Sequence, residues 1–491
     1  MIPLRGRLLV ASAMLAVAAA SVLLLIRAES AISFARPLLL VTSGAEEEGV
    51  LGILRAMDGA AYTDPSRIPF AASYYNWLFF GVFATVTGAV KGALGLDVAW
   101  VPTIGRFVGL AGALLCGWVA WGCLRRVAPS PSPWVNHHNR LLAAWLAIGP
   151  LVGWWALSLN PELWATALSE AAILAVLAGF ERRKLASVAL AAGLAAAAWG
   201  FKQSYLFVPL GLGLFLLLRL EIRAIMVLVA VFVAGVALPV LLGSPEYRGM
   251  LLAFQGSDFA WWQLERNLLN TAPKIVPVLL GALLVLPLLR RWRAVRDDTP
   301  LLLSLCCVLA CLPVLPASAK VGAAENYYFP LVFFLALLAG RGVARLEESG
   351  WPRLPTLALT AAWLLELAAC ALVVAGIGGV RSVREMDARY QEQRNCIAAL
   401  PAPMFSHDPY LQLPWMRAEG PRFVLAYQYD MERAKGRVFE QDGVGGLIRD
   451  GWFASLALPG GRTTIDGATL DRYRRLPEPC AGLGIYVRKS G

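Results

Sequence analysis

A chain of 491 residues with 58% hydrophobic and only 16% charged side chains is far more apolar than soluble globular proteins are. Its 44 Lys and Arg against 33 Asp and Glu fall in short clusters between apolar stretches and form no basic face interleaved with aromatics. That distribution excludes nucleic acid as a partner and defines a polytopic membrane protein whose basic clusters set its topology.

The first apolar run, Leu8 to Ile26, follows Arg5 and Arg7. It is long enough to span a bilayer and no small-residue cleavage site follows it, so it predicts an uncleaved helix with a cytoplasmic N-terminus. Further spans are expected near 101–123, 141–159, 163–180, 185–201, 204–218, 224–242, 275–290, 300–318, 327–345 and 354–379, giving about eleven transmembrane helices. Arg125 and Arg126, Arg182 to Lys184, Arg219 and Arg223, Arg290 to Arg296, and Arg341 and Arg345 then all fall inside, and the tail after Val380 falls outside. Tyr74 to Leu96 is also apolar, but counting it as a span would put every later cluster on the wrong side. It is expected to lie in the interface or part-way into the membrane, with Tyr74, Tyr75 and Trp77 at its start. Residues 27–100 become one large external loop.

Within that loop, Val50, Ile53, Leu54 and Met57 recur at the spacing of a short amphipathic helix. Glu46, Glu47 and Glu48 occupy its first turn, where unpaired backbone N–H groups favour negative charge. Asp58-Gly59 ends the helix. Pro65 and Pro69 make "YTDPSRIPF" (Tyr62 to Phe70) an ordered loop that includes Asp64.

Basic residues at external helix ends break the general pattern and are therefore candidates for function, against the plainer alternative of a lysine snorkelling to the interface. Lys202 and Gln203 sit in "WGFKQSYLF", between two spans with almost no loop. Lys320 sits in "ASAKVGAAENYYFP", before Asn326 and Tyr327. Glu162, in "SLNPELWA", opens the next helix, and Arg106 lies early in its span, where an isolated charge is costly unless paired.

After Gly379 the sequence turns charged and helical, and then gives strand-like runs at Arg422 to Tyr427, Phe453 to Pro459 and Leu483 to Lys489. A small α/β domain is expected over 381–491, following a membrane domain over 1–380. "GVGG" (Gly443 to Gly446) reads as a turn. Cys396 and Cys480 are the two cysteines of this external part, and an oxidising compartment lets them pair. The other six lie in spans as small hydrophobes. There is no P-loop, no HExxH, and no cysteine or histidine spacing that supports a metal: His137 and His138 lie in a cytoplasmic loop, His407 in the tail, and Asp297-Asp298 balances a basic loop.

Four stretches together resemble the GT-C superfamily of integral membrane glycosyltransferases, in particular the bacterial relatives of protein mannosyltransferases and lipid-linked sugar transferases. They are "GAEEEGVLGILRAMDGAAYTDPSRIPF", "GFKQSYLFVPLGLGLFLL", "AKVGAAENYYFP" and "LPAPMFSHDP". The resemblance implies a multi-pass enzyme of the bacterial cytoplasmic membrane. It implies a polyprenyl-phosphate sugar as donor, a lipid, glycan or protein acceptor on the external face, and no cofactor that the residues themselves support.

The same resemblance implies that a carboxylate of the first external loop acts on the acceptor. The family's acid is commonly an Asp followed by Glu; here the aligned pair is Glu47 and Glu48, and a small register shift brings in Glu46. Glu47 is the expected base. Lys202 and Lys320, with Arg106, are expected to stabilise the departing phosphate, and Tyr62, Asp64, Asn326 and Tyr327 to orient the sugar or acceptor. The competing reading is a transporter or flippase, which wants ionisable groups near the midplane and repeated halves. Only Glu170 and Glu366 are midspan carboxylates, and no repeat is visible. A catalytically silent scaffold presenting its external domain is the third reading.

Overall fold

The computed structural model describes residues 4–32, 45–70, 73–253, 258–349, 354–376, 379–406, 427–434, 436–459, 464–477 and 480–489. His407 and nearly all of the strand expected over Arg422 to Tyr427 lie outside them. Helix α1 (Leu4–Ile32) packs on α16 (Leu354–Gly376). Helix α4 (Val101–Val127) packs on α5 (Pro133–Ile148) and α6 (Glu162–Phe201), which also meets α8 (Ile222–Leu242). Helix α7 (Phe207–Leu218) lies against α13 (Thr299–Cys311), and α10 (Trp261–Leu283) against α15 (Phe329–Glu348). Every residue of α15 from Phe329 to Ala344 is buried, as expected for a helix apolar all round.

Helix α6 settles how two expected spans are joined. Its 40 residues would stretch about 60 Å if straight, but Arg183 leaves helical geometry (φ −139°, ψ 56°) and the chain folds back. A Cβ placed on Gly179 would lie 2.9 Å from that of Ser187, and the rings of Trp164 and Phe201 stack 6.0 Å apart. The hairpin brings its two outer ends, Glu162 and Lys202, side by side.

Eight helices among the described residues are long and apolar enough to cross a membrane, with α6 counted as one and α3 (Trp77–Leu94) included. Both ends of α3 nevertheless lie at one end of the bundle. Its cap, Asn76, donates to the Trp199 carbonyl (2.7 Å) beside Lys202, and Val98, just beyond its end, packs into the cluster that holds Phe79 and Val101. A helix that starts and finishes on the same side runs along that face. The expected span at 141–159 is shorter than anticipated: α5 ends at Ile148, Gly149 is extended, and Gly153–Leu157 forms a 3₁₀ turn.

The basic clusters meet at the opposite end. Arg219 donates to the Arg296 carbonyl (2.7 Å) and to Glu181 (3.3 Å), and Lys184 pairs with Glu221. Arg341 reaches the Val127 carbonyl (3.0 Å) and Asp298, which Arg345 also contacts at 3.3 Å. Asp298 additionally caps α13 through the Leu301 N–H (3.1 Å).

Helix α17 (Gly379–Ala398) leads into a four-stranded sheet ordered β1 (Met404–Ser406), β2 (Ser455–Pro459), β6 (Leu483–Arg488), β5 (Tyr473–Arg475); the first pair is parallel and the others antiparallel. A small hairpin, β3 (Thr464–Ile465) and β4 (Ala468–Thr469), turns through Asp466 and Gly467, both at positive φ, the geometry that favours Asp-Gly. Gly443 to Gly446, read from sequence as a turn, begins the helix Gly443–Arg449. Cys396 and Cys480 form a disulfide that ties α17 to the sheet domain.

Two apolar clusters join this domain to the first loop. Phe70 inserts among Tyr429, Phe439, Leu447 and Phe453, meeting the Phe439 ring edge-on at 5.4 Å. Tyr390, Ile397, Ala457 and Ile485 continue the cluster formed by Val50, Ile53, Leu54 and Phe79.

Candidate active site

The site is built on α2 (Ala45–Met57). Val50, Ile53 and Leu54 are buried as the helical stripe requires, and Gly59, at φ 76°, closes the helix. Two glycines decide how closely α2 approaches its supports. A Cβ on Gly49 would fall 2.2 Å from the Leu159 carbonyl oxygen, and one on Gly52 2.0 Å from the Phe80 ring. Only a hydrogen fits at either place, so α2 is clamped between the turn before Glu162 and helix α3.

This clamp fixes the acidic run. Glu46 is 2% exposed and accepts two bonds from the fully buried Arg106, from Nε at 2.7 Å and Nη2 at 3.1 Å. Arg106 also reaches the Ala31 carbonyl at the end of α1 (3.5 Å). Arg106 thus ties α4 to α2 and α1, and it is not among the residues lining the Lys202 cavity. Glu48 is buried and accepts from the Tyr74 backbone N–H. Glu47 lies between them in the helix, and its side chain is outside the described part of the structure.

Beside this helix the α6 hairpin forms a second centre. The Lys202 ammonium pairs with Glu162, lies 5.3 Å over the Tyr327 ring, and is nearly buried. Glu162 Oε1 also accepts from Asn326 Nδ2 (2.6 Å). Glu162 Oε2 and Asn326 Oδ1 are buried without a hydrogen-bond partner among the described residues. Lys202, Asn326 and Tyr327 line a cavity of ≈ 180 Å³ together with Ser204, Tyr205 and the apolar Phe207, Pro313 and Val314. Lys320 is half-buried in the following turn, its N–H bonded to the carbonyl of Ala317, which also lines the cavity.

The segment Ser73 to Asn76 connects the two centres. Gln203 Nε2 donates to the Tyr74 carbonyl (2.8 Å), and the Tyr75 hydroxyl to Asn160 (2.8 Å), two residues before Glu162. On its far side is a larger cavity of ≈ 300 Å³, bordered by Tyr62, Asp64, Ser73, Tyr74, Glu246 and Arg437. The Tyr62 hydroxyl donates to the Tyr75 carbonyl (3.0 Å), and burial, with Tyr247 and Glu48 nearby, pushes its pKa up. Asp64 accepts from the Ser66 hydroxyl (2.7 Å) and N–H (2.9 Å), which hold its carboxyl below the usual range. The C-terminal domain closes this side: the Tyr74 hydroxyl donates to Glu432 (2.8 Å), which Arg437 Nε also contacts (2.5 Å).

The sequence reading thus named both members of two buried ion pairs without pairing them. It gave Tyr74 only as an aromatic at the start of the interfacial segment, and it missed Asn76, Glu246, Glu432 and Arg437. It also missed Lys274, paired with Glu325. Lys274 had a legible signal, a lone cation one residue before an expected span.

A bundle carrying its polar centre at one end, roofed by a small sheet domain, is a fold that this chain shares with ArnT from Cupriavidus metallidurans. The similarity extends over nearly the whole chain for ArnT from Cupriavidus metallidurans bound to undecaprenyl phosphate, with 14% identity, a TM-score of 0.54, and 96% of this chain and 97% of that one covered. The apo state of the same protein gives 14%, 0.56, 96% and 97%. The apo oligosaccharyltransferase of Archaeoglobus fulgidus is also similar, at 12% identity and a TM-score of 0.48, over 87% of this chain and 64% of that one. No family model and no curated protein matches the sequence.

Proposed function

We propose that this protein transfers a sugar from a polyprenyl-phosphate donor to an acceptor hydroxyl on the external face of a bacterial cytoplasmic membrane, with the N-terminus inside and the C-terminal domain outside. The observation that carries this reading is the Lys202 cavity: a nearly buried ammonium, held by Glu162, which Asn326 also contacts, in a pocket walled in part by Phe207, Pro313, Val314 and Ala317. An ammonium offers three N–H donors and Glu162 occupies one, which leaves donors for a phosphate oxygen, while Phe207, Pro313 and Val314 suit the first isoprene units. The ArnT structure with undecaprenyl phosphate gives this donor class a precedent on the same fold.

In the proposed reaction the acceptor oxygen bonds to the anomeric carbon as the bond from that carbon to the phosphate oxygen breaks. The acceptor proton passes to Glu47, and polyprenyl phosphate departs with its charge stabilised by Lys202 and, from the adjoining turn, Lys320. Glu46 and Glu48 already serve Arg106 and the Tyr74 N–H, which favours Glu47 as the base. Gln203 and Tyr327 position the Lys202 centre. A hexose and a pentose are both compatible with these groups.

The test is mass spectrometry of envelope glycans and polyprenyl-linked lipids from cells lacking the protein, rescued with wild type, Glu47→Gln or Lys202→Met. Wild type is expected to restore a product heavier by one sugar, and either variant to lose it at equal membrane abundance, by ≥ ~10²-fold for the base. Equal rescue by Glu47→Gln removes it as the base. Rescue by both variants removes the roles given to Glu47 and Lys202, and failure of wild type to restore any such product removes the transferase reading.

A further inference from the structure

The larger cavity shares no lining residue with the Lys202 pocket, and its chemistry differs. Residues of the C-terminal domain border it, and its ≈ 300 Å³ is the lower end of the range for small-molecule sites. Asp64 and Glu246 border it from two separate elements, the first loop and the start of α9 (Pro245–Ala253). Carboxylates only accept hydrogen bonds. Ser73, 6% exposed, also lines the cavity, and its Oγ has no hydrogen-bond partner among the described residues. A buried hydroxyl without a partner among the described residues marks a position that a ligand group can complete. The Tyr62 and Tyr74 rings add apolar surface of the kind on which the C–H face of a pyranose lies, and Arg437 supplies N–H donors from the C-terminal domain.

Resting on the glycosyl-transfer reading, we propose that this cavity is the acceptor subsite and that it takes a hydroxyl-rich saccharide unit, so the acceptor is a sugar-bearing molecule and not a peptide. Asp64 and Glu246 receive its hydroxyls, Ser73 and Arg437 meet its oxygens, and the C-terminal domain is part of the binding site. The segment Ser73 to Asn76, shared with the Lys202 centre through Gln203, sets the acceptor next to the donor. Both carboxyls are also held below the ordinary carboxylate range, Asp64 by Ser66 and Glu246 by backbone and Ser244 hydrogen bonds, so both are acceptors at neutral pH.

Saturation-transfer NMR on the full-length protein in nanodiscs tests this with methyl α-mannoside, methyl β-glucoside and methyl β-N-acetylglucosaminide as probes, and a Ser/Thr-containing hexapeptide as control. At least one glycoside is expected to be saturated and the peptide not. The signal should fall at least about 5-fold in Glu246→Gln, an exposed position that leaves folding intact, and in Asp64→Asn, and persist in Lys202→Met. Displacement of the probe by a soluble oligosaccharide assigns a glycan end, and displacement by an alkyl glycoside a glycolipid head group. Saturation of no glycoside, of the peptide equally, or undiminished signal in both carboxylate variants overturns the proposal. Undecaprenyl phosphate binding, followed by thermal shift, keeps the two readings apart. Its absence from wild type with glycoside binding intact removes the donor reading alone, and its persistence in Glu246→Gln with the glycoside lost assigns the defect to the acceptor cavity.

Discussion

Replacing Arg106 by methionine removes the cation from a pair in which neither partner reaches water: Arg106 is 0% and Glu46 2% exposed. Methionine follows the arginine side chain as far as Nε, so packing of the stem along α4 is largely kept while Glu46 loses the two bonds from Arg106, at 2.7 and 3.1 Å. Two unit charges about 4 Å apart attract by ~4 kcal/mol at an effective dielectric of 20, and removing one member of a buried pair costs ~3–5 kcal/mol because the other stays desolvated and unmatched. At ~2 °C per kcal/mol, fluorescence-detected thermal unfolding in detergent should drop by about 6–10 °C. Because Glu46 and Glu48 share the first turn of α2, the loss also frees Glu48 from the Tyr74 N–H, and product formation should fall with stability. The double variant Glu46→Leu with Arg106→Met replaces charge by apolar surface on both sides and is expected to recover most of the loss. Single variants within about 1 °C of wild type, or a double-mutant cycle without coupling, would refute the reasoning that the pair anchors α2.

Gly49→Ala places a methyl where the Leu159 carbonyl stands 2.2 Å away. That is backbone and cannot turn aside, so ~1–3 kcal/mol of destabilisation and a loss of activity beyond the thermal effect are expected, whereas Gly81→Ala, with open space around it, is silent in both assays. For pH, Asp64 and Glu246 both have lowered carboxyl pKa values. The contribution of a depressed carboxylate is complete above its ordinary value and fades as pH falls through the lowered one. Glycoside saturation is therefore expected to be flat from about pH 5 to 8 and to decline only below about 4; a twofold change within the flat window counts against these two groups as its ligands.

The membrane character, most helices, the amphipathic stripe of α2 and the sorting of basic clusters to one end were legible in the sequence, because hydropathy, helical period and Lys/Arg placement are local properties of the chain. Arg106 could be marked as needing a partner, because an isolated charge in an apolar span is costly whatever its surroundings. Which carboxylate answers it could not be read: Glu46 lies 60 positions away, and only the approach permitted by Gly49 and Gly52 brings it within reach. The same holds for Glu162 and Lys202, separated by 40 positions and joined because α6 folds back at Arg183. The larger cavity was wholly a tertiary matter, since Tyr74 and Glu432 meet across 358 positions. Local sequence thus determined which segments are long and apolar enough to enter a membrane and which charges need explaining. Helix packing and the docking of Phe70 into the C-terminal domain decided which charges are spent on holding the fold and which remain beside the cavities, because burial and pairing depend on contacts that no single segment contains.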